Sequence, residues 1–160
     1  MAVTIAVESP LQDEVRQLVA ELNDHLLPLS PIEFQFKMTV EQMADADTTV
    51  FVARDEAGKA VGIGALREIS ADEGEIKRMY TSPSVRGQRV GSALLQAIEN
   101  LAREKGLSRL LLETGTGEGM IGAQRLYANS GYSLRGPFLD YPESEWSLFY
   151  EKRIAAPAVA

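Results

Sequence analysis

The stretch Glu75–Ile98, EIKRMYTSPSVRGQRVGSALLQAI, reads as a strand, a break and a helix. The strand covers Glu75–Thr81, and Ser82-Pro83-Ser84 ends it. The helix covers Arg89–Lys105, with Val90, Leu94, Leu95, Ile98 and Leu101 on one face and Gly106 closing it at the C′ position. A helix start offers unpaired backbone N–H groups and a partial positive charge, which together make an anion site. Gly87 permits a backbone turn that a Cβ disfavours. Gly91, Ser92 and Ala93 keep the first turn thin, so a pyrophosphate can lie against the backbone, and Arg86 and Arg89 add charge. A glycine-containing loop and a helix start that merely pack would look the same, so on these residues alone both readings stay open.

Working outward, Val3–Glu8 alternates as a strand does. Ser9-Pro10-Leu11-Gln12 reads as a helix start, with Ser9 as N-cap, Pro10 at the first helical position and Gln12 completing a capping box. Leu11, Val15, Leu18, Val19, Leu22 and Leu26 then share one helical face. Thr39 and Gln42 predict a second cap and a short helix to about Ala46. Thr49–Arg54 and Ala60–Ile69 form a hairpin about the turn Asp55–Lys59. Beyond the long helix, Arg109–Thr114 is an apolar strand, Gly115–Gly122 a glycine-rich loop and Ala123–Ser130 a short helix. Tyr132–Leu134 and Ser147–Arg153 are closing strands, separated by the aromatic excursion GPFLDYPESEW. The order β-α-α-β-β-β-α-β-α-β-β describes a mixed α/β domain with at least one parallel crossover through the long helix.

The chain has 160 residues, which suits one domain with its own core. That domain is expected over 1–154, with the small, uncharged tail 155–160 disordered. Acids outnumber bases 23 to 16, and the net charge of −7 argues against nucleic-acid and anionic-membrane partners. No apolar run is long enough to span a bilayer and the N-terminus lacks a signal-peptide pattern, so the expected location is cytoplasmic. The absence of cysteine rules out thiol nucleophiles, thiolate metal sites and disulfides; with a single histidine, no metal site is expected. The chemistry is left to carboxylates, hydroxyls, phenols, backbone amides or a borrowed cofactor.

Gln88-x-x-Gly91-x-Ala93, preceded by Arg86-Gly87 and a strand, resembles the acetyl-CoA signature of the GNAT superfamily of N-acetyltransferases. RLLLET over 109–114, then Ala123-Gln124-Arg125-Leu126-Tyr127 and Gly131-Tyr132, resembles that family's later strand, short helix and closing Gly-aromatic pair. The resemblance implies a mostly antiparallel sheet with a parallel, splayed strand pair and helices on both faces. It implies acetyl-CoA as co-substrate, with the pyrophosphate held by Arg86, Gly87, Gln88, Arg89, Val90, Gly91 and Ser92. The pantetheine arm would pair with the strand edge Met79, Tyr80 and Thr81. Tyr127 would lie near the sulfur as general acid. Where the family often has an asparagine, three residues before Ala123, this chain has Met120. A homodimer is compatible with the fold.

The implied reaction is direct attack of a primary amine on the thioester in a ternary complex. A lysine-like amine with a pKa of ~10.4 is neutral in about one molecule in ~2,500 at pH 7, a deficit of roughly 4.6 kcal/mol that a base must help recover. Glu75, opening the strand beside the implied slot, is the first candidate, and Glu113 on the adjacent strand is the second. A glutamate near ~4.3 is a poor base, so the base in this site has to be buried. The N–H of Met79 is the candidate donor to the thioester carbonyl. His25 and Phe34, with Pro31 and Phe36 near them, are candidates for the acceptor pocket, whose ligand is expected to be a small molecule. The acidic balance suits a cationic amine. Phe138, Tyr141 and Trp146 would cover the acceptor, make a dimer contact or fill the core.

Two other readings compete. A GNAT-like domain can bind acetyl-CoA, or serve as an interaction module, without catalysis. Gly117-x-Gly119-x-x-Gly122 also matches a dinucleotide fingerprint, with Asp140 at a suitable separation for a ribose contact, although too little chain follows for that fold.

Overall fold

The computed structural model describes residues 2–154, so the expectation for the tail 155–160 lies outside the described residues. The elements are β1 (Thr4–Val7), α1 (Asp13–Leu26), α2 (Val40–Met43), β2 (Thr48–Arg54), β3 (Ala60–Glu68) and β4 (Glu73–Thr81). They continue with α3 (Val90–Glu104), β5 (Arg109–Gly115), α4 (Ile121–Asn129), β6 (Ser133–Arg135) and β7 (Ser147–Arg153). Among them no helix is long and apolar enough to cross a membrane.

The seven strands form one sheet in the order β1-β2-β3-β4-β5-β7-β6. All neighbours are antiparallel except β4 and β5, the pair joined by the α3 crossover. Alternation along β2 explains the two cores. Val50 and Val52 point to α1 and α2, where Val15, Leu18, Val19, Leu22 and Met43 meet them. Phe51 and Ala53 point to the other face, where Leu94, Leu95 and Ile98 of α3 pack. Gly62 and Gly64 let α3 lie close on β3. A Cβ at Gly62 would sit 3.1 Å from Leu94 Cδ1, and one at Gly64 would sit 3.1 Å from Ile98 Cδ1.

Helix α1 begins later than its sequence suggests. Ser9 does not cap it; its Oγ accepts from the N–H of Leu11 at 3.1 Å, a local turn. Gln12 is the N-cap residue, in extended conformation and without a side-chain cap. The cause is tertiary. Arg54 binds Glu8, Gln12 and Glu14, and holds the preceding segment extended. Leu11 thereby leaves the apolar face and is 52% exposed. The second cap forms as expected: Thr39 and Gln42 make a reciprocal capping box, although α2 is only one turn long.

The feature that makes the site is an irregularity in β4. Ile63 pairs with Tyr80 and Ala65 with Lys77, so Arg78 and Met79 together oppose Gly64. Arg78 takes φ +56°, a conformation that costs a non-glycine residue about 1–3 kcal/mol and persists only where its surroundings impose it. Such a bulge bends and twists its strand. β4 pairs with β5 only from Glu73 to Glu75, and beyond that point the two strands diverge.

Candidate active site

The groove beside α3 is built from backbone. Gly87 has φ +83° and Arg89, the residue preceding the helix, has φ +63°. No side chain caps α3. The N–H groups of Gly87, Arg89, Val90, Gly91 and Ser92 consequently carry no protein hydrogen bond among the described residues. Uncapped N–H groups at a helix start, flanked by Arg86 and Arg89, fit a pyrophosphate. The groove has a volume of about 530 Å³ and runs from there along Met79, Tyr80 and Thr81 to Met120, Ala123 and Tyr127. The side of β4 from Ile76 to Thr81 that faces β5 has no strand partner, so its backbone is free to pair with an extended ligand. Tyr80 offers that edge only its backbone, because its hydroxyl donates to Glu21 on the α1 face. Of the backbone amides expected there, those of Arg86 and Gln88 are taken by the Pro83 and Val85 carbonyls at 3.3 and 3.1 Å, and the Gln88 side chain turns to the Ser84 carbonyl at 3.5 Å.

A smaller chamber of about 120 Å³ occupies the splay between β4 and β5. Glu75, Lys77, Arg78 and Glu113 line it, with Phe34, Phe36 and Trp146 among its walls. Leu22, Met79, Met120, Ala123 and Tyr127 line both groove and chamber, so the two cavities adjoin along these residues. Tyr127 is buried between the rings of Tyr132 and Tyr150, with centroids at 5.9 and 6.0 Å. Its hydroxyl has no hydrogen-bond partner among the described residues. Burial, then the charge of Glu113, push its pKa above the ordinary phenol value, so it is protonated at neutral pH.

The two carboxylates are in different states. Glu75 is fully buried and both its oxygens are engaged. Oε1 lies 3.4 Å from Arg67 Nη1, while Oε2 accepts the Tyr141 hydroxyl at 2.5 Å and lies 3.6 Å from Lys77 Nζ. Glu113 accepts the Ser147 hydroxyl on Oε2 at 2.8 Å, and its Oε1 has no hydrogen-bond partner among the described residues. Burial pushes Glu113 above the usual carboxylate range, with the Ser147 bond and the Lys77 charge offsetting part of the rise. Burial also pushes Lys77 below the ordinary lysine value, against the pull of Glu75 and Glu113.

The remaining expected residues divide between the cavities. Phe34 and Glu113 line the chamber. His25 does not; it stands on the groove wall, with Nε2 at 3.2 Å from the Gly119 carbonyl oxygen, and ties α1 to the loop after β5. That loop is no dinucleotide motif. Gly119 backs onto Leu29, α4 is nine residues long, and the mostly antiparallel sheet lacks the parallel half such a motif requires. Sequence reasoning gave no site role to Lys77, Arg78 or Ser147, and left Tyr141 among three aromatics with several possible places. The only local signal was a pair of cations inside an otherwise apolar strand, IKRMY.

The sequence profile of the Acetyltransferase (GNAT) family matches residues 14–132. The chain belongs to the GNAT acetyltransferase family. It is 44% identical over 151 residues to a protein named IAA acetyltransferase from Azospirillum brasilense, covering 94% of this chain and 97% of that one. A solved structure from Klebsiella pneumoniae, assigned to the acyl-CoA N-acyltransferases, superposes with a TM-score of 0.79 at 31% identity, over 96% of this chain and 98% of the other. A GNAT family acetyltransferase from Elizabethkingia anophelis, solved with acetyl-CoA bound, superposes with a TM-score of 0.67 at 16% identity over 95% and 98% of the two chains. This GNAT enzyme has the expected architecture, with one parallel strand pair in a mostly antiparallel sheet.

Proposed function

We propose that this GNAT enzyme transfers the acetyl group of acetyl-CoA to a primary amine of a small-molecule acceptor, by direct attack in a ternary complex. The observation that carries this reading is that an anion-binding groove and a carboxylate-lined chamber adjoin, with Tyr127 in the wall of both. Acetyl-CoA supplies the activated acetyl thioester. The N–H groups of Gly87 and of Arg89 to Ser92 hold its pyrophosphate, with Arg86 and Arg89 adding charge, and the edge Met79–Thr81 orients its arm. The N–H of Met79 polarises the thioester carbonyl. Glu113 takes the proton of the attacking amine on its unoccupied Oε1. Its raised pKa brings it closer to the amine's than an exposed glutamate would be. Glu75 holds Lys77 and Tyr141 in place rather than serving as the base. The Tyr127 hydroxyl gives its proton to the departing sulfur.

The test is thiol release from acetyl-CoA against a panel of amines, with products identified by mass spectrometry. IAA, the acceptor in the name of the Azospirillum relative, belongs in that panel. Amine-dependent thiol release with an acetylated amine as product supports the reading. Acetyl-CoA binding with no acceptor-dependent release favours the non-catalytic module instead.

A further inference from the structure

Resting on the N-acetyltransferase reading, we infer that the acceptor carries a carboxylate beside its amine, and that Arg78 binds that carboxylate in the chamber. The acceptor is thus an amino acid or a close analogue rather than a simple amine or a polyamine.

Arg78 is 8% exposed and lines the chamber. It belongs to no ion pair among the described residues, although Glu75 and Glu113 line the same chamber. Glu75 turns to Lys77 and Arg67, and Glu113 to Ser147. Among the described residues the Arg78 guanidinium has one partner, the side-chain oxygen of Asn23 on α1, a neutral group, and its buried Nε has none. A buried guanidinium without an anion is costly, and burial pushes its pKa down to about 10. The β4 bulge places it there at φ +56°. A carboxylate matches the planar fork of a guanidinium and would satisfy the orphaned Nε.

Charge in the chamber agrees. Glu75 and Glu113 face Lys77 and Arg78, with Arg67 behind Glu75. The chamber therefore balances to about neutral although the chain as a whole is at −7. A polycation would meet two buried cations. A zwitterion places its amine toward Glu113 and its carboxylate toward Arg78. Leu22, Leu26, Phe34 and Phe36 give an apolar side chain a wall to pack on. Arg78 lines the chamber and not the groove, so its anion is the acceptor's and not the pyrophosphate.

The experiment compares matched pairs on the wild-type enzyme with acetyl-CoA: leucine against isopentylamine, phenylalanine against phenethylamine, and γ-aminobutyrate against propylamine. At least one carboxylate-bearing member should exceed its partner in kcat/KM by ~10- to ~100-fold, the range for a hydrogen bond to a charged group. Arg78→Met should raise KM for that acceptor by a similar factor and leave acetyl-CoA affinity unchanged, and Arg78→Lys should recover part of the loss. Because Arg78 is buried, Asn23→Ala gives a second variant; it should raise the same KM without altering the KM for acetyl-CoA. Acetylation of both members of every pair at equal efficiency overturns this inference and leaves the N-acetyltransferase reading intact. An Arg78→Met effect confined to acetyl-CoA affinity overturns it too. Binding of acetyl-CoA with no acetylation of any amine overturns both.

Discussion

Replacing Tyr127 by phenylalanine separates the packing of its ring from the proposed acid role of its hydroxyl. The ring is buried against Tyr132 and Tyr150, and phenylalanine keeps those contacts. The hydroxyl makes no hydrogen bond among the described residues, so its removal strands no partner. A bonded hydroxyl would cost about 1 kcal/mol. Here the stability change should stay within about 0.5 kcal/mol, or about 1–2 °C in Tm for a domain of this size. Turnover is a different matter. A positioned general acid contributes about 10²–10⁴-fold, equivalent to about 2.7–5.4 kcal/mol of barrier. Phenylalanine has no proton to supply in its place. Tyr127→Phe should therefore show kcat reduced by at least ~100-fold with acetyl-CoA affinity changed less than about threefold. Thiol-release kinetics, a calorimetric acetyl-CoA titration and a thermal melt on the same preparation read all three. Unchanged kcat refutes the acid role. A fall in kcat accompanied by an equal loss of acetyl-CoA affinity shows that the hydroxyl binds rather than protonates.

Three further outcomes follow from the same geometry. Glu113→Gln should lower kcat by about 10²–10⁴-fold and abolish an acid limb in the pH–rate profile whose midpoint lies above the usual carboxylate range. Stability should move the other way. A carboxyl with a raised folded pKa contributes stability below its unfolded pKa and loses it as pH rises through the folded one, so Glu113→Gln should melt higher than wild type at neutral pH and no higher at pH 4. Gly91→Glu places a bulky anion on the thin first turn of α3, where even a Cβ lies 3.3 Å from Leu126 Cδ2; calorimetry should find acetyl-CoA affinity weakened by more than ~100-fold. Tyr141→Phe removes the 2.5 Å donor to the buried Glu75 and should destabilise the fold by about 1–3 kcal/mol in urea unfolding.

What the sequence revealed, and what it hid, follows from how local each cause is. The strand, break and helix over 75–98 were legible because glycines, proline and helical spacing act within a few residues. The element order was legible for the same reason. The start of α1 was not, since Arg54, some 40 residues away, decides where the chain stops being extended. Glu75 could be named from its place on the strand, but not its engagement by Tyr141, 66 positions later. That long-range bond is the reason the proposed base is Glu113. His25 looked like an acceptor residue because the end of α1 adjoins the site, and only the packing of the loop at Gly119 puts it on the groove side. The bulge at Arg78 depends on the register of β3 against β4, and nothing in IKRMY states that register.

The proposed enzyme passes acetyl from coenzyme A in the groove to an amine in the adjoining chamber, with no acetyl held on the protein between. The most direct measurement is single-turnover mixing of enzyme, isotopically labelled acetyl-CoA and a leucine or phenylalanine acceptor, quenched and analysed by mass spectrometry. The account predicts label on the acceptor nitrogen, one free coenzyme A per acetylated acceptor, and no label on the protein. Label retained on the protein, or thiol release that leaves the acceptor unlabelled, contradicts it.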